Sequence, residues 1–363
     1  ERQETVFLSI IFSTQFHSFA VMNKPLVAVV VLNYNGRNYL EKFLPGVLAS
    51  TYGNKKIIVA DNASTDDSVA FLKQHFPSVE IIYLEKNFGF AEGYNQALKQ
   101  VSADYFVLLN SDVEVTLNWI EPIIDLMESD EKIAFAQPKI LSYNDKASFE
   151  YAGAAGGFID LLGYPFARGR VFDTLEKDKG QYKTSTEIFW ATGAVLFAKA
   201  DVYKSLGGLY GYFFAHQEEI DLCWRAQLAG YKIACCVESV VYHVGGGTLP
   251  KGHFRKTFLN FRNNLIMLAR NLPMNEKIYK IPVRLVLDGV FGVKSLFGGD
   301  FVTVRGILYA HFAFYKWSFK KKEKYPLNRE SMKALRGVYS GLLIGQYFIK
   351  GKKNFSDFYK EML

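Results

Sequence analysis

LVAVVVLNYNGRNYLEKFLPGVLAS, Leu26 to Ser50, is the stretch on which the fold class turns. Its opening LVAVVVL is an unbroken apolar run rich in Val, the composition of a strand covered on both faces. NYNG then breaks the run, and the apolar residues that follow recur at helical spacing. The same order of strand, turn and helix returns in KKIIVAD before DSVAFLKQHF, in VEIIYLE before AEGYNQALKQV, and in YFVLLNSD before NWIEPIIDLME. Strands alternating with helices build βαβ units and a mostly parallel sheet.

Each of these strands ends in polar residues. Asn33, Tyr34 and Asn35 follow the first, Asp61, Asn62, Ser64 and Asp66 the second, Asn87 and Gly89 the third, and Asp112 the fourth. Singly, such residues are the ordinary caps of helices. In series they mark a binding edge, because open α/β sheets take ligands outside the carboxyl ends of their strands. Beyond Ile133, IAFAQPKILS is expected as a further strand and Gly153 to Lys183 as a long loop or hairpin region. EIFWATGAVLFAKADVYKSLGG gives a strand and a short helix, FFAHQEEIDLCWRAQLAGYKIACC a helix that stops near Gly230 and then a strand, and VVYHVGGG closes the unit.

With 363 residues, 49% of them hydrophobic, the chain can bury a large core and still carry an appendage. Cys223, Cys235 and Cys236 are the only cysteines and two are neighbours, which excludes a disulfide scaffold and points to a reducing, cytoplasmic setting. The net charge of +7 divides into about +15 after Pro250 and about −8 before it. That basic, aromatic tail has no nucleic-acid motif and suits an anionic membrane surface. Its helical stretches KTFLNFRNNLIMLARNL and IPVRLVLDGVFGVKSLFGG are interrupted by Arg284, Asp288 and Lys294, so it is expected to lie on a bilayer without crossing it. KKKEK, Lys320 to Lys324, suits lipid head groups or a solvated surface. Residues 1–24 lack a basic start and a clean apolar run, and are expected as an upstream extension with Met22 opening the functional chain. The expected division is 1–24, a catalytic domain 25–249 and a basic helical region 250–363.

VVVLNYNGRNYL, IIVADNASTDDS, NFGFAEGYNQAL, LLNSDVE, EEIDLCWR and YHVGGGT stand in the order and approximate spacing of family 2 glycosyltransferases. From about Leu26 to Leu268 the chain most resembles the rhamnosyltransferase-like branch found in bacterial surface-polysaccharide clusters. The resemblance implies a GT-A fold: a Rossmann-like, mostly parallel central sheet flanked by helices, here with a basic helical C-terminal extension. It implies transfer, with inversion, of one sugar from a nucleotide diphosphate donor to a saccharide or lipid-linked acceptor. Asp61 is the residue implied to bond the nucleotide base, and a carboxylate accepting an imide N–H suits a UDP or dTDP donor. Asn33, Asn35, Asn87, Gly89, Phe90, Gly93, Asn95, Asn110 and Ser111 are implied around the nucleotide.

Asp112 matches the last acid of the family's metal-binding DxD signature, with Asn110 where the first acid usually stands. Mg²⁺ or Mn²⁺ is the implied ion, and His243 the implied second ligand. The family's acid pair maps to Glu218 and Glu219. Glu219 is the implied catalytic base, Glu218 stays open as its substitute, and Asp221 either orients the acceptor or starts the helix. Trp190 and Gly193 are implied beneath the sugar and acceptor, although a Trp beside a strand is as often core. Arg225 and Arg262 suit phosphate or a helix-face ion pair. Without a QxxRW motif or a set of transmembrane helices, transfer of a single residue at the inner face of the cytoplasmic membrane is expected, with rhamnose the sugar that the resemblance suggests. A sugar-nucleotide nucleotidyltransferase and a catalytically silent binding subunit are the alternatives. The first calls for a Gly-rich loop bearing Lys or Arg after the first strand, and the second has no use for paired acids.

Overall fold

The computed structural model describes residues 24–245, 253–320 and 327–359. The first half is β1 (Val27–Asn33), α1 (Arg37–Leu48), β2 (Lys55–Asp61), α2 (Ser68–His75), β3 (Glu80–Tyr83), α3 (Gly89–Leu98), β4 (Tyr105–Asn110), β5 (Val113–Val115), α4 (Glu121–Ser129) and β6 (Ile133–Ser142). Four short strands follow, β7 (Gly157–Asp160), β8 (Pro165–Ala167), β9 (Arg170–Val171) and β10 (Thr174–Leu175). Then come β11 (Thr186–Glu187), β12 (Val195–Lys199), α5 (Ala200–Ser205), α6 (Glu218–Leu228) and β13 (Lys232–His243). The last elements are α7 (Phe254–Asn271), α8 (Met274–Phe297), α9 (Phe301–Ser318), β14 (Val338–Tyr339) and α10 (Ser356–Tyr359).

The main sheet runs β11-β13-β6-β12-β4-β1-β2-β3, with β5 on β13. β1 pairs in parallel with both β2 and β4, so the chain order reverses beside β1 and a topological switch point opens between Asn33 and Asn110. β12 is antiparallel to both β4 and β6. Its reversal brings the residues just before it, Trp190 to Ala194, to the edge where the parallel strands end. β1 is buried because helices cover both faces of the sheet: Leu40, Leu44 and Val47 of α1 pack on one side, Tyr94 and Ala97 of α3 on the other.

The Gly153 to Lys183 stretch forms a second, five-stranded sheet, β10-β9-β8-β7-β14. Its last strand comes from the C-terminal region. Asp160 on β7 accepts hydrogen bonds from the backbone N–H groups of Leu162, Tyr164 and Leu343, which fastens the two together.

The expected boundary at 249/250 is not a break in packing. Leu265, Ile266, Met267 and Leu268 of α7 are fully buried in the same core as Ile220 and Trp224 of α6. α8 is inverted: its inward row is Glu276, Lys280, Arg284, Asp288 and Gly292, at every fourth residue, while Ile278, Val286, Val290 and Phe297 face outward. Among the described residues no helix is long and apolar enough to cross a membrane. Met22 with the N-terminal stretch before it, Lys321 to Lys324, and the glycines Gly246 and Gly247 fall outside the described residues.

Candidate active site

The carboxyl ends of β1, β2, β4 and β13 place Asn33, Asp61, Asn110 and His243 along one edge of the sheet. Asn33 Nδ2 donates to Asp61 Oδ1 at 3.1 Å and to Ser64 Oγ at 3.1 Å. Asp61 Oδ2 accepts the Ser64 N–H at 3.0 Å, which leaves lone pairs on both carboxylate oxygens. Asn35 takes a left-handed backbone and its Oδ1 accepts the N–H groups of Thr65 and Asp66 at 2.7 and 3.3 Å, so it ties the first loop to the second. Asn110 donates its N–H to Ala194 O at 2.9 Å, and Asn110 and Ser111 lie half-buried at the switch point.

Asn62 was not among the expected nucleotide residues, yet it organises the next loop. Its Nδ2 donates to Asn87 Oδ1 at 3.2 Å and to Gly89 O at 3.0 Å, and its Oδ1 accepts the Phe88 N–H at 2.9 Å. Gly89 has φ +78°, and a Cβ there would meet the Phe214 ring at 2.5 Å, so two reasons demand glycine. The Phe214 carbonyl accepts the N–H groups of Phe90 and Ala91 at 2.7 and 3.1 Å and satisfies the start of α3. Gly93 allows close packing on Leu32, where a Cβ would come within 3.1 Å. Asn95 spends its side chain on Tyr203 Oη at 2.9 Å, on Leu209 N at 3.0 Å and on Leu209 O at 2.7 Å. It braces the loop that leads toward α6 and has no amide group left for a nucleoside.

That loop is strained where it meets the acids. Phe214, His216 and Gln217 all have φ near +70°, an uncommon region for side-chain-bearing residues. α7 holds it in place: Arg262 Nη2 donates to the carbonyls of Tyr212 and Phe213, and Asn263 Nδ2 to those of Phe213, Ala215 and His216. Arg262 is therefore spent on backbone, as is Arg225, which reaches Leu206 O, Gly208 O and Asp221. Neither is free for phosphate.

Glu218 and Glu219 open α6, each with a buried Oε2 that has no hydrogen-bond partner. Burial, and then the neighbouring Glu219, hold Glu218 well above the ordinary carboxyl range. Burial pushes Glu219 up to about 7. A Cβ on Gly193 would lie 3.2 Å from the Phe90 ring and 3.9 Å from Glu219 Cβ, so Phe90, Gly193 and Glu219 converge. Asp221 sits apart from them. Fully buried, it accepts from Arg225 at 2.8 Å, Arg270 at 3.1 Å and Asn271 at 2.8 Å, and the two arginines, with the Asn271 hydrogen bond, hold its pKa low against the cost of burial. Its expected catalytic part gives way to a structural one, joining α6 to α7. Trp190 is likewise core: it is 4% exposed, its indole N–H donates to Phe158 O at 2.9 Å, and its ring occupies the space left by Gly157.

β5 pairs antiparallel with β13 and sets His243 opposite Val113, one residue from Asp112. His243 Nε2 lies 3.1 Å from Asp112 Oδ1, and on the other side Nδ1 lies 3.2 Å from Glu150 Oε2. Burial works against charge on His243, but the two carboxylates outweigh it and raise its pKa to about 10. Glu150 carries no motif, and only the fold brings it here. The 3.1 Å contact joins Asp112 and His243 directly, and the pair offers an ion one carboxylate oxygen and, once His243 gives up its proton, one imidazole nitrogen. Carboxylate oxygen suits Mg²⁺ or Mn²⁺, and imidazole tilts the choice toward Mn²⁺. Among the described residues no three His, Cys, Asp or Glu side chains gather as an ion site, so the other positions would fall to a ligand and water. A separate cleft of about 410 Å³ lined by Asp104, Tyr105, Glu128 and Lys199 lies at the opposite edge of the sheet, away from these groups.

Residues 28–193 match the family described as glycosyl transferase family 2. The N-acetylglucosaminyl-diphospho-decaprenol L-rhamnosyltransferase of Mycobacterium tuberculosis is 21% identical over 288 residues, 74% of this chain and 92% of its own length. The low-salt glycan biosynthesis hexosyltransferase Agl10 of Haloferax volcanii is 22% identical over 283 residues, 75% of this chain and 85% of its own. Two solved structures share the fold. GalNAc-T7 with UDP, GalNAc and Mn²⁺ aligns over 70% of this chain and 49% of its own, with 14% identity and a TM-score of 0.55. Mannosyltransferase PcManGT from Pyrobaculum calidifontis, in complex with GDP-Man and Mn²⁺, aligns over 82% and 89%, with 13% identity and a TM-score of 0.50. Residues 28–193, on their GT-A sheet, are thus similar to glycosyl transferase family 2, and the relatives that align with most of the chain are glycosyltransferases.

Proposed function

We propose that this glycosyltransferase inverts the anomeric centre, acts once per acceptor, and takes a UDP- or dTDP-linked sugar, with rhamnose the first candidate. The acceptor is a saccharide or lipid-linked saccharide in bacterial surface glycan synthesis. The enzyme works at the inner face of the cytoplasmic membrane, which its basic C-terminal region meets. The observation that carries the reading is Glu219: a carboxyl raised to about 7 beside Gly193 and Phe90 is poised to take a proton near neutral pH. As the acceptor hydroxyl attacks, its proton passes to a Glu219 carboxylate oxygen while the bond from the sugar to the diphosphate breaks on the far side. Asp61 receives the base, with Asn33 and Ser64 fixing its carboxylate. Asp112 and His243 would hold Mg²⁺ or Mn²⁺, which offsets charge gathering on the leaving diphosphate.

A thermal-shift panel tests this. UDP or dTDP sugars at a hundred times their dissociation constant should add about 2.7 kcal/mol of stability. The response should need Mn²⁺ or Mg²⁺ and should vanish in Asp112→Ala. A folded protein that responds to nucleoside triphosphates and to no diphosphate would turn the reading toward nucleotidyl transfer. One that responds to neither would leave a silent subunit.

A further inference from the structure

α8 and α9 form a hairpin that shows the solvent what proteins normally hide. On α8 the outward residues include Ile278 (74% exposed), Val286 (65%) and Phe297 (88%). On α9 and at its C-terminal cap they include Phe301 (67%), Phe312 (72%) and Phe319 (88%). From Phe301 to Phe319 the exposed positions are 301, 302, 305, 308, 309, 312, 315, 316 and 319, a broad face at helical spacing that carries charge at Arg305 and Lys316 alone. The charges that should face water are inside: Lys280 holds Glu276 at 2.5 Å, Arg284 lies 3.6 Å from Asp288, and His311 lies 3.4 Å from Asp288 on its other side. Helices built this way cannot be at rest with this face in water, since exposed apolar patches of such size mark an interaction surface.

Charge selects the occupant. Among residues 274–320 the exposed bases are Lys294, Arg305, Lys316 and Lys320, and the exposed acid is Asp300, at the turn, where it accepts the Thr303 N–H. Nearby, Lys294 lies over the ring of exposed Phe348, and Ile349 and Lys350 follow, which adds to the same apolar and basic character. Two copies pairing through this face would set bases against bases. An anionic bilayer offers both what the apolar stripe needs and what the bases need.

We propose that the α8–α9 hairpin is a monotopic anchor, lying in the plane of an anionic bilayer with its outward apolar stripe sunk into one leaflet. The anchor rests on the membrane part of the reading above and is independent of the transfer chemistry. Its position also bears on the acceptor. Arg305 and Tyr309 of α9 pack on Phe254, Arg255 stacks over Phe214 at 4.2 Å, and Phe214 fills the space beside Gly89. The anchored helix thus stands a few side chains from the loop that carries Glu218 and Glu219. An acceptor tethered to a lipid would reach that loop from the bilayer.

The test is flotation of the full chain with vesicles of phosphatidylcholine alone, and of equal parts phosphatidylcholine and phosphatidylglycerol. The protein should float with the anionic vesicles. Phe297→Ser with Phe312→Ser and Phe319→Ser removes three exposed rings and no core contact. This triple variant should lose roughly a hundredfold in partitioning while keeping its circular dichroism and its thermal response to nucleotides. Lys294→Glu with Lys316→Glu and Lys320→Glu should abolish the preference for anionic lipid. A wild type that stays unbound, or a triple variant that floats as well as wild type, overturns the anchor. So does a wild-type dimer, seen by sedimentation without vesicles, that the triple variant dissociates, because a second copy then covers the face. Nucleotide response without flotation sinks the anchor alone; flotation without nucleotide response sinks the transferase reading alone.

Discussion

Two helices of this chain bury rows of charge, and they do so to opposite ends. In α8 each buried charge has a partner: Glu276 with Lys280, Arg284 with Leu162 O, Asp288 with Arg284 and His311. In α6 the row is split. Asp221 is held by Arg225, Arg270 and Asn271, while one turn earlier Glu218 and Glu219 keep buried oxygens that bond to nothing. Burying a charge costs several kcal/mol unless it is paired, so the paired groups serve the scaffold, and the unpaired ones are the pair to which the proposed reading gives the chemistry. The difference separates Asp221 from its two neighbours, which spacing on the helix cannot do.

The comparison breaks first at Glu219. Glu219→Gln keeps the volume and removes the proposed base, and the turnover number should fall roughly a thousandfold. Stability should move the other way. Glu219 titrates higher folded than unfolded, so the native state loses stability as pH rises from the ordinary carboxyl value toward 7. The glutamine variant escapes that loss and should melt above wild type at pH 8. A variant that keeps full activity, or that melts lower, would mean that Glu219 is scaffold after all.

Asp221→Ala should give the mirror image. It removes the carboxylate that Arg225, Arg270 and Asn271 share between α6 and α7 and should cost about 3–5 kcal/mol in urea unfolding. The variant that remains folded should keep its nucleotide response. Loss of activity without loss of stability would return Asp221 to the catalytic group.

How much of this was legible in the sequence follows the same division. β1 to β4 and their polar ends were plain, because buried parallel strands leave continuous apolar runs and a binding edge leaves Asn, Asp and Gly behind them. Asp112 and His243 could be paired through their motifs. Glu150 could not, since it approaches His243 only through the packing after β6. Trp190 and Asn95 show the converse error. Both stand in motif-bearing segments, yet one is spent on Phe158 O and the other on Leu209. The inside-out order of α8 was also hidden, because a period of four in charges looks the same whether that face meets water or core. The C-terminal tail was legible as basic and aromatic. That α7 braces the loop before α6 was not, as it depends on Arg262 and Asn263 finding backbone carbonyls some fifty residues away.

The smallest effect is the sharpest for the pair itself. The rate should fall about tenfold per pH unit below about 7, where Glu219 takes up its proton. Burial, and then the neighbouring Glu219, hold Glu218 well above the ordinary carboxyl range, and in the proposed scheme it is the member of the pair that keeps its proton while Glu219 ionises. A neutral neighbour exerts little electrostatic force, and glutamine imitates a protonated glutamate. Glu218→Gln should therefore leave most of the activity and shift the acid limb by less than about half a pH unit. If instead Glu218→Gln abolishes turnover while Glu219→Gln retains it, the two carboxyls exchange roles. The base would then be Glu218, whose burial and second acid alongside oppose its ionisation.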